Sequence, residues 1–360
     1  FRVLLCVPQQ RHCAFVVHNY LYFFTYKIYK FYFYEKYVYI GGDLIFSIPQ
    51  IKPKRLLPGD TIGVVAPASP GDEESTLAGI AWLEAQGFHV HLGKTVDQTF
   101  GYLAGSDALR AADINTMFTS PDIDGIICLR GGYGTMRLLE LLDYDMIRTH
   151  PKVFVGYSDI TALHTSIRQN TGLVTFHGPM VGSDMGKGLS DYTWDYLSRA
   201  ITVSAPLGPI LNPADSLPPS FIAQGEARGQ LTGGNLSLIT ATLGTPYEID
   251  TRGKILCLEE VAEAPYRIDR MLTQLLLAGK LQDTAGIVFD VCPNCELDLE
   301  PPDFTVEEVL RDRLGNLQKP VLYHLHFGHT ADKATLPLGV TGILNSFANN
   351  FEIIETATTD

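Results

Sequence analysis

From about Lys52 onward, short apolar runs alternate with longer stretches of mixed polarity, and Gly, Pro or Asp marks most of the changeovers. Leu57-Pro58-Gly59-Asp60 is a turn, and the run Thr61 to Pro67 behind it reads as a short buried strand. Ser69-Pro70-Gly71-Asp72 then caps a helix that runs to Gln86 and stops at Gly87. Phe88 to Leu92 is a second strand, Asp107 to Phe118 a helix, and Ile123 to Leu129 a third strand. Arg130-Gly131-Gly132-Tyr133-Gly134 is a tight loop that leads into a helix through Leu142. The fourth strand, 152–156, runs into Gly156-Tyr157-Ser158-Asp159, and a helical pattern begins at once behind it. Strands alternating with helices predict βαβ units and a mainly parallel sheet.

The character changes after the run Val174 to Met180. Pro206, Pro209, Pro213, Pro218 and Pro219 mark a linker or a long surface crossing, and a domain boundary is expected there. Gly229 to Leu236 reads as a glycine turn that enters a helix. Lys254 to Leu258 is a buried strand ending on Glu259-Glu260, and Ala264 to Leu275 is a helix with Pro265 in its first turn. Further strands are expected at Gly286 to Val291, Pro320 to Leu325, Leu336 to Val340 and Phe351 to Ile354, with Gly328-His329-Thr330 as a turn. The expected organisation is an N-terminal α/β domain over 51–204, a Pro-rich linker over 205–228, and a smaller C-terminal α/β domain over 229–360.

Residues 1–50 follow another pattern. Of the 20 positions from Tyr20 to Tyr39, 12 are Tyr or Phe, and no helical or strand period persists through them. The uncharged stretch Ala14 to Tyr26 is too short to span a bilayer. A basic start and a small-residue cleavage site, which a secretory signal requires, are both missing. The expectation is an extension outside the fold, with a membrane-surface or export segment as the alternative.

Composition narrows the function. The formal net charge of −13 argues against a nucleic-acid partner, because phosphate neutralisation needs clustered Lys and Arg. Six cysteines in 360 residues show no disulfide framework, which suggests a reducing compartment. Cys292-Pro293-Asn294-Cys295 has no second ligand pair at zinc spacing, so two thiols at a strand end is the reading preferred over metal or redox work. Gly132-Tyr133-Gly134 has Arg137 where a dinucleotide loop needs its third glycine. Paired glycines instead let backbone N–H groups face the crevice at the strand ends, as an oxyanion hole requires.

Ser158, Glu259 and His329 each stand where an apolar strand gives way to a polar turn. A serine nucleophile needs an imidazole to take its proton, and the imidazole needs a carboxylate to hold its tautomer. Alternatives stay open on this pattern alone. Ser158 or Asp159 could simply cap the helix, Glu260 or Asp332 could be the acid, and His177, His324 and His326 compete with His329. The order serine, acid, histidine also fits an α/β-hydrolase, but the glycine two places after the serine is absent: Ile160 stands there.

The ordered set of motifs from about residue 52 to 354 resembles the LD-carboxypeptidase family of serine peptidases. It comprises Pro58-Gly59-Asp60, Val65-Ala66-Pro67-Ala68-Ser69, Arg130 to Gly134, Gly156 to Thr161 and Thr175 to Pro179. Leu231 to Leu236, Leu258 to Val261, Pro265 to Arg270, Gly328-His329 and Leu336 to Gly339 complete it. The resemblance implies a Rossmann- or flavodoxin-like N-terminal domain, a smaller C-terminal domain and a site between them. It implies Ser158 as nucleophile, Glu259 as triad carboxylate and His329 as general base, with an oxyanion hole from the backbone N–H of Asp159 and of Gly132 or Gly131. Arg130 and Asn235 are further substrate-binding candidates, Arg130 for the free carboxylate of the substrate, although a structural pair with an acid such as Asp159 is an equal account of it. The implied reaction is hydrolysis of the bond before a terminal D-alanine in muropeptide tetrapeptides, in cytoplasmic cell-wall recycling, by a homodimer without metal or cofactor. No stable membrane partner is expected. Two other readings remain: a microcin C-type peptide-nucleotide hydrolase that confers immunity, and a non-hydrolytic muropeptide-binding protein.

Overall fold

The computed structural model describes residues 48–297 and 302–360, together with the backbone of five short strands, Leu4–Cys6, His12–Val17, Tyr20–Thr25, Val38–Ile40 and Asp43–Ile45. The chain divides into two units, Phe1–Ile48 and Pro49–Asp360, and each is taken by itself. In the first, the strands from Leu4–Cys6 to Tyr20–Thr25 pair antiparallel in sequence order, and the last two pair with each other. The expectations of an extension outside the fold or a membrane-surface segment lie outside the described residues.

The second unit is built on two sheets. The first takes β1 (Thr61–Val65), β2 (His89–Leu92), β3 (Gly125–Cys128), β4 (Val153–Gly156) and β5 (Thr175–His177). The second takes β6 (Gly208–Pro209), β7 (Ser220–Ala223), β8 (Glu226–Asn235), β9 (Ile255–Glu259), β10 (Gly286–Asp290) and β11 (Val321–Leu325). β12 (Leu336–Leu338) returns to the first sheet, and β13 (Thr341–Asn345) and β14 (Asn350–Ile353) join the second.

The first sheet runs in the order β12-β5-β4-β3-β1-β2, parallel except for β12 at its edge. Leaving β12 aside, this is the flavodoxin-like order, with its switch point between β1 and β3. Every residue of β3 and β4 is buried, as expected of parallel strands covered on both faces by helices. The edge strand β2, by contrast, carries exposed His89 and His91. The second sheet has a parallel centre, β8-β9-β10-β11, flanked by antiparallel strands. The expected α/β architecture with a parallel-rich sheet is observed.

Local differences have physical causes. The glycine stretch does enter a helix at Leu236, as expected, but 229–235 is not a turn: it is the end of β8, where Gly233 and Gly234 take φ of 132° and 134°. A Cβ on Gly233 would collide with the Cys257 carbonyl of β9, and one on Gly234 with the side chain of Thr161. The paired glycines thus let β9 lie close beside β8 and let Thr161 pack against the end of β8. Behind Gly134 the chain makes only the short 3₁₀ turn Thr135–Leu138, and Asp143 then caps a separate helix, Tyr144–Thr149. The proline-rich stretch 205–228 contributes β6 and β7 to the second sheet. The longer helices Asp191–Thr202 and Val306–Leu314 go unread in the sequence, although Thr305 and Glu308 form a capping box at the second.

Candidate functional site

Three chain segments meet at one point. β4 ends at Gly156, and Tyr157 leads into Ser158, which holds a φ of 63° before the helix Thr161–Thr171 begins. A left-handed conformation costs a non-glycine residue about 1–2 kcal/mol, and such strain is characteristic of serines presented at a strand-to-helix turn. Gly156 permits the turn, because a Cβ there would lie 2.9 Å from the Ile160 side chain. Glu259 is the last residue of β9, and His329 lies in the loop after β11.

His329 Nδ1 is 2.6 Å from Glu259 Oε2, and its Nε2 is 3.1 Å from Ser158 Oγ. The carboxylate can only accept, so Nδ1–H donates to it and Nε2 is left to accept the serine hydroxyl. Glu259 is fully buried, while His329 keeps 17% of its side chain exposed. Burial alone would lower the imidazole's proton affinity. The hydrogen bond and charge of Glu259 outweigh burial, so the pKa of His329 is raised above its ordinary value.

The Tyr157 ring meets the His329 ring edge-on, with centroids 4.9 Å apart. On its other side the Lys333 ammonium lies 4.5 Å from the Tyr157 ring centroid and 2.5 Å from Asp184 Oδ1. This pair is nearly buried, so Lys333 and Asp184 hold each other in place behind Tyr157. His177 packs behind the same ring with neither imidazole nitrogen partnered, and burial pushes its pKa well down, which keeps it neutral. The competing histidines at 324 and 326 lie elsewhere: the His324 ring stacks on Tyr323, and the His326 backbone N–H donates to Asn212. Of the competing acids, Glu260 accepts from Asn235 Nδ2 at 2.9 Å and from Ser237, while Asp332 offers its carbonyl to Thr330.

The glycine loop after β3 backs directly onto the serine. A Cβ on Gly131 would sit 3.0 Å from Ser158 Cβ and 3.4 Å from the Asp159 backbone nitrogen. Gly132 has a φ of 115° and no room for a side chain, since Ser69 packs against it from the end of β1. Asp159 accepts the Thr135 N–H at 2.9 Å with its side chain and the Thr135 hydroxyl with its carbonyl, while its backbone nitrogen lies beside Gly131. Arg130 is exposed and donates to the Pro70 carbonyl at 3.2 Å; among the described residues it makes no ion pair with Asp159. Asn235 is buried and its side chain is engaged twice, capping the helix Leu236–Ala241 and bonding Glu260. The sequence reading did not single out Tyr157, Asp184, Lys333 or Asp290 for this neighbourhood. Asp290 alone carried a signal, since it closes an apolar strand as Glu259 does.

Cys292 and Cys295 are free buried thiols with sulfurs 3.0 Å apart. Among the described residues no group of three or more His, Cys, Asp or Glu is arranged to hold a metal ion, and no helix is long and apolar enough to cross a membrane.

Comparison with known proteins bears on this geometry. Residues 62–178 match the LD-carboxypeptidase N-terminal domain and residues 228–344 the LD-carboxypeptidase C-terminal domain. A Bacillus subtilis protein named "Probable murein peptide carboxypeptidase" is 42% identical over 324 residues, covering 88% of this chain and 98% of its own. The crystal structure of a muramoyltetrapeptide carboxypeptidase from Oxalobacter formigenes superposes with a TM-score of 0.74 at 32% identity, covering 83% of this chain and all of that one (100%). A microcin C7 self-immunity protein in complex with glutamyl sulfamoyl guanosine superposes with a TM-score of 0.78 at 28% identity, covering 86% and 99%; the self-immunity protein of Escherichia coli is 30% identical over 326 residues, covering 82% of this chain and 94% of its own. Two family domains matched in order, joined by relatives that align along most of their length, place the molecule: this chain belongs to the LD-carboxypeptidase family.

Proposed function

We propose that this protein is a serine-type LD-carboxypeptidase that releases the terminal D-alanine from muropeptide tetrapeptides through an acyl-enzyme. The observation that carries the reading is the unbroken line from Ser158 Oγ through the His329 ring to the buried Glu259 carboxylate. Ser158 Oγ attacks the scissile carbonyl while His329 Nε2 accepts its proton. Glu259 holds the tautomer and stabilises the imidazolium that results. The backbone N–H groups of Asp159 and of the 131–132 glycines receive the oxyanion, a contribution worth roughly 10²–10³ in rate per donor. His329 then protonates the departing amine of D-alanine, and water, activated by the same imidazole, hydrolyses the ester. Relatives named for murein peptides support this substrate, and cytoplasmic cell-wall recycling by a homodimer is the setting that goes with it.

The likeness to a self-immunity protein solved with a sulfamoyl nucleoside supports a second reading, hydrolysis of peptide-nucleotide conjugates. The higher identity of the murein relative places it second. Purified protein should release D-alanine from a tetrapeptide stem, and Ser158→Ala should abolish release while the melting curve is preserved. Release by Ser158→Ala at the wild-type rate would overturn the mechanism. Cleavage of an aminoacyl sulfamoyl adenylate, with the tetrapeptide left intact, would reverse the order of the two readings.

A further inference from the structure

Asp290 ends β10 as Glu259 ends β9, and the register that pairs Leu258 with Phe289 sets the two acids side by side on one face of the sheet. Both are fully buried. Asp290 Oδ1 accepts the Phe327 backbone N–H at 3.3 Å, on the loop that carries His329, while Asp290 Oδ2 and Glu259 Oε1 have no partner. Gly328 fills the remaining space: a Cβ there would collide with Asp290 Oδ2 and lie 2.9 Å from Glu259 Oε2. Among the described residues neither acid pairs with a Lys or Arg. Two bare carboxylates cannot both stay ionised in so dry a space, and each keeps an acceptor without a donor.

We propose that Asp290 is a positioning residue for the reaction: its protonated form shares its carboxyl proton with the Glu259 carboxylate, and through its other oxygen anchors the loop that presents His329. The proposal rests on the triad reading given above. The groups that face Asp290 are Glu259 from β9, His329 and the Phe327 N–H from the loop after β11, Tyr192 from the helix Asp191–Thr202, and Val291 and Cys292 just beyond the end of its own strand. None of them is a permanent cation. Burial, reinforced by the charge of Glu259, pushes the Asp290 carboxyl up to about 7. The protonated form is the competent one, so its contribution is lost as pH rises through that value. His329 must be neutral to act as base, so its contribution is lost as pH falls. The two together make a bell-shaped profile, whose limbs belong to the coupled group rather than to one residue.

The test compares wild type, Asp290→Ala and Asp290→Asn for D-alanine release across pH. Asp290→Ala should lose about 10- to 100-fold in kcat with little change in KM, the rate equivalent of one hydrogen bond to a charged acceptor. Asp290→Asn, which donates without titrating, should regain most of that loss and lack the alkaline limb. An asparagine variant that keeps the wild-type alkaline limb, or is no faster than the alanine variant, overturns the proposal. Infrared spectra on the Ser158→Ala background give a readout without turnover. A protonated-carboxyl band at neutral pH should vanish in Ser158→Ala/Asp290→Asn; if the double variant does not fold, the band should instead fade in Ser158→Ala as pH is raised. A spectrum with no such band overturns the proposal. An inactive wild type would overturn the carboxypeptidase reading alone, and the spectrum would still decide Asp290.

Discussion

Replacing Glu259 by glutamine keeps the volume of a fully buried side chain and removes one charge. In the proposed mechanism His329 becomes an imidazolium in the transition state, and its Nδ1 is 2.6 Å from the carboxylate oxygen. Charge centres roughly 4 Å apart at an effective dielectric of about 20 attract by about 4 kcal/mol. A glutamine oxygen can still accept from Nδ1–H, which recovers about 1 kcal/mol as a neutral hydrogen bond. The remaining loss of about 3 kcal/mol corresponds to a fall of about 10²-fold in kcat. The pH profile should change as well. The hydrogen bond and charge of Glu259 are the main causes that raise the His329 pKa against burial, so in Glu259→Gln burial is opposed only by the weaker charge of Glu260 and the pKa drops. The acid limb of kcat/KM should therefore move to lower pH, making the variant slower but less sensitive to acid. D-alanine release measured from pH 4 to 9, with an NMR titration of the His329 ring, checks both effects. An acid limb that stays in place or moves up, or a loss under about tenfold, would refute the reasoning.

Two further perturbations test the backbone. Ser158→Gly removes the nucleophile and relieves a φ of 63°, so D-alanine release should vanish while the urea midpoint stays at or above wild type, by up to about 1 kcal/mol. A clear loss of stability would mean that the turn is not strained. Gly233→Ala, whose Cβ meets the Cys257 carbonyl at a φ of 132°, should cost more than about 3 kcal/mol in denaturant unfolding. Gly253→Ala is its control, with a φ of 64° and open space around it, and should cost only about 1 kcal/mol. Equal losses at the two glycines would remove the close approach of β9 as the reason for Gly233.

The parallel sheet was legible because its strands are buried on both faces and so read as unbroken apolar runs, as at Gly125–Cys128 and Val153–Gly156. Gly233-Gly234 was misread because a glycine pair signals conformational freedom without saying what needs it. Here the need comes from Cys257 and Thr161, far away in sequence. β12 could not be assigned to the first sheet from its own residues, since an edge pairing is decided by the partner strand, Thr175–His177.

For the site, the order of residues alone marked Ser158, Glu259 and His329, because each closes an apolar run with a group that carries chemistry. Four histidines and three acids nevertheless competed for two roles. Only the fold separates them, since proton transfer needs atoms within about 3 Å, and linear spacing does not encode that distance across two sheets. Tertiary structure likewise set the surroundings: the Lys333–Asp184 pair behind Tyr157, and Asp290 beside Glu259. A chain can announce which side chains are reactive by where its strands end. How strongly each holds its proton depends on burial and on charges brought in from elsewhere, and these exist only once the two sheets have met.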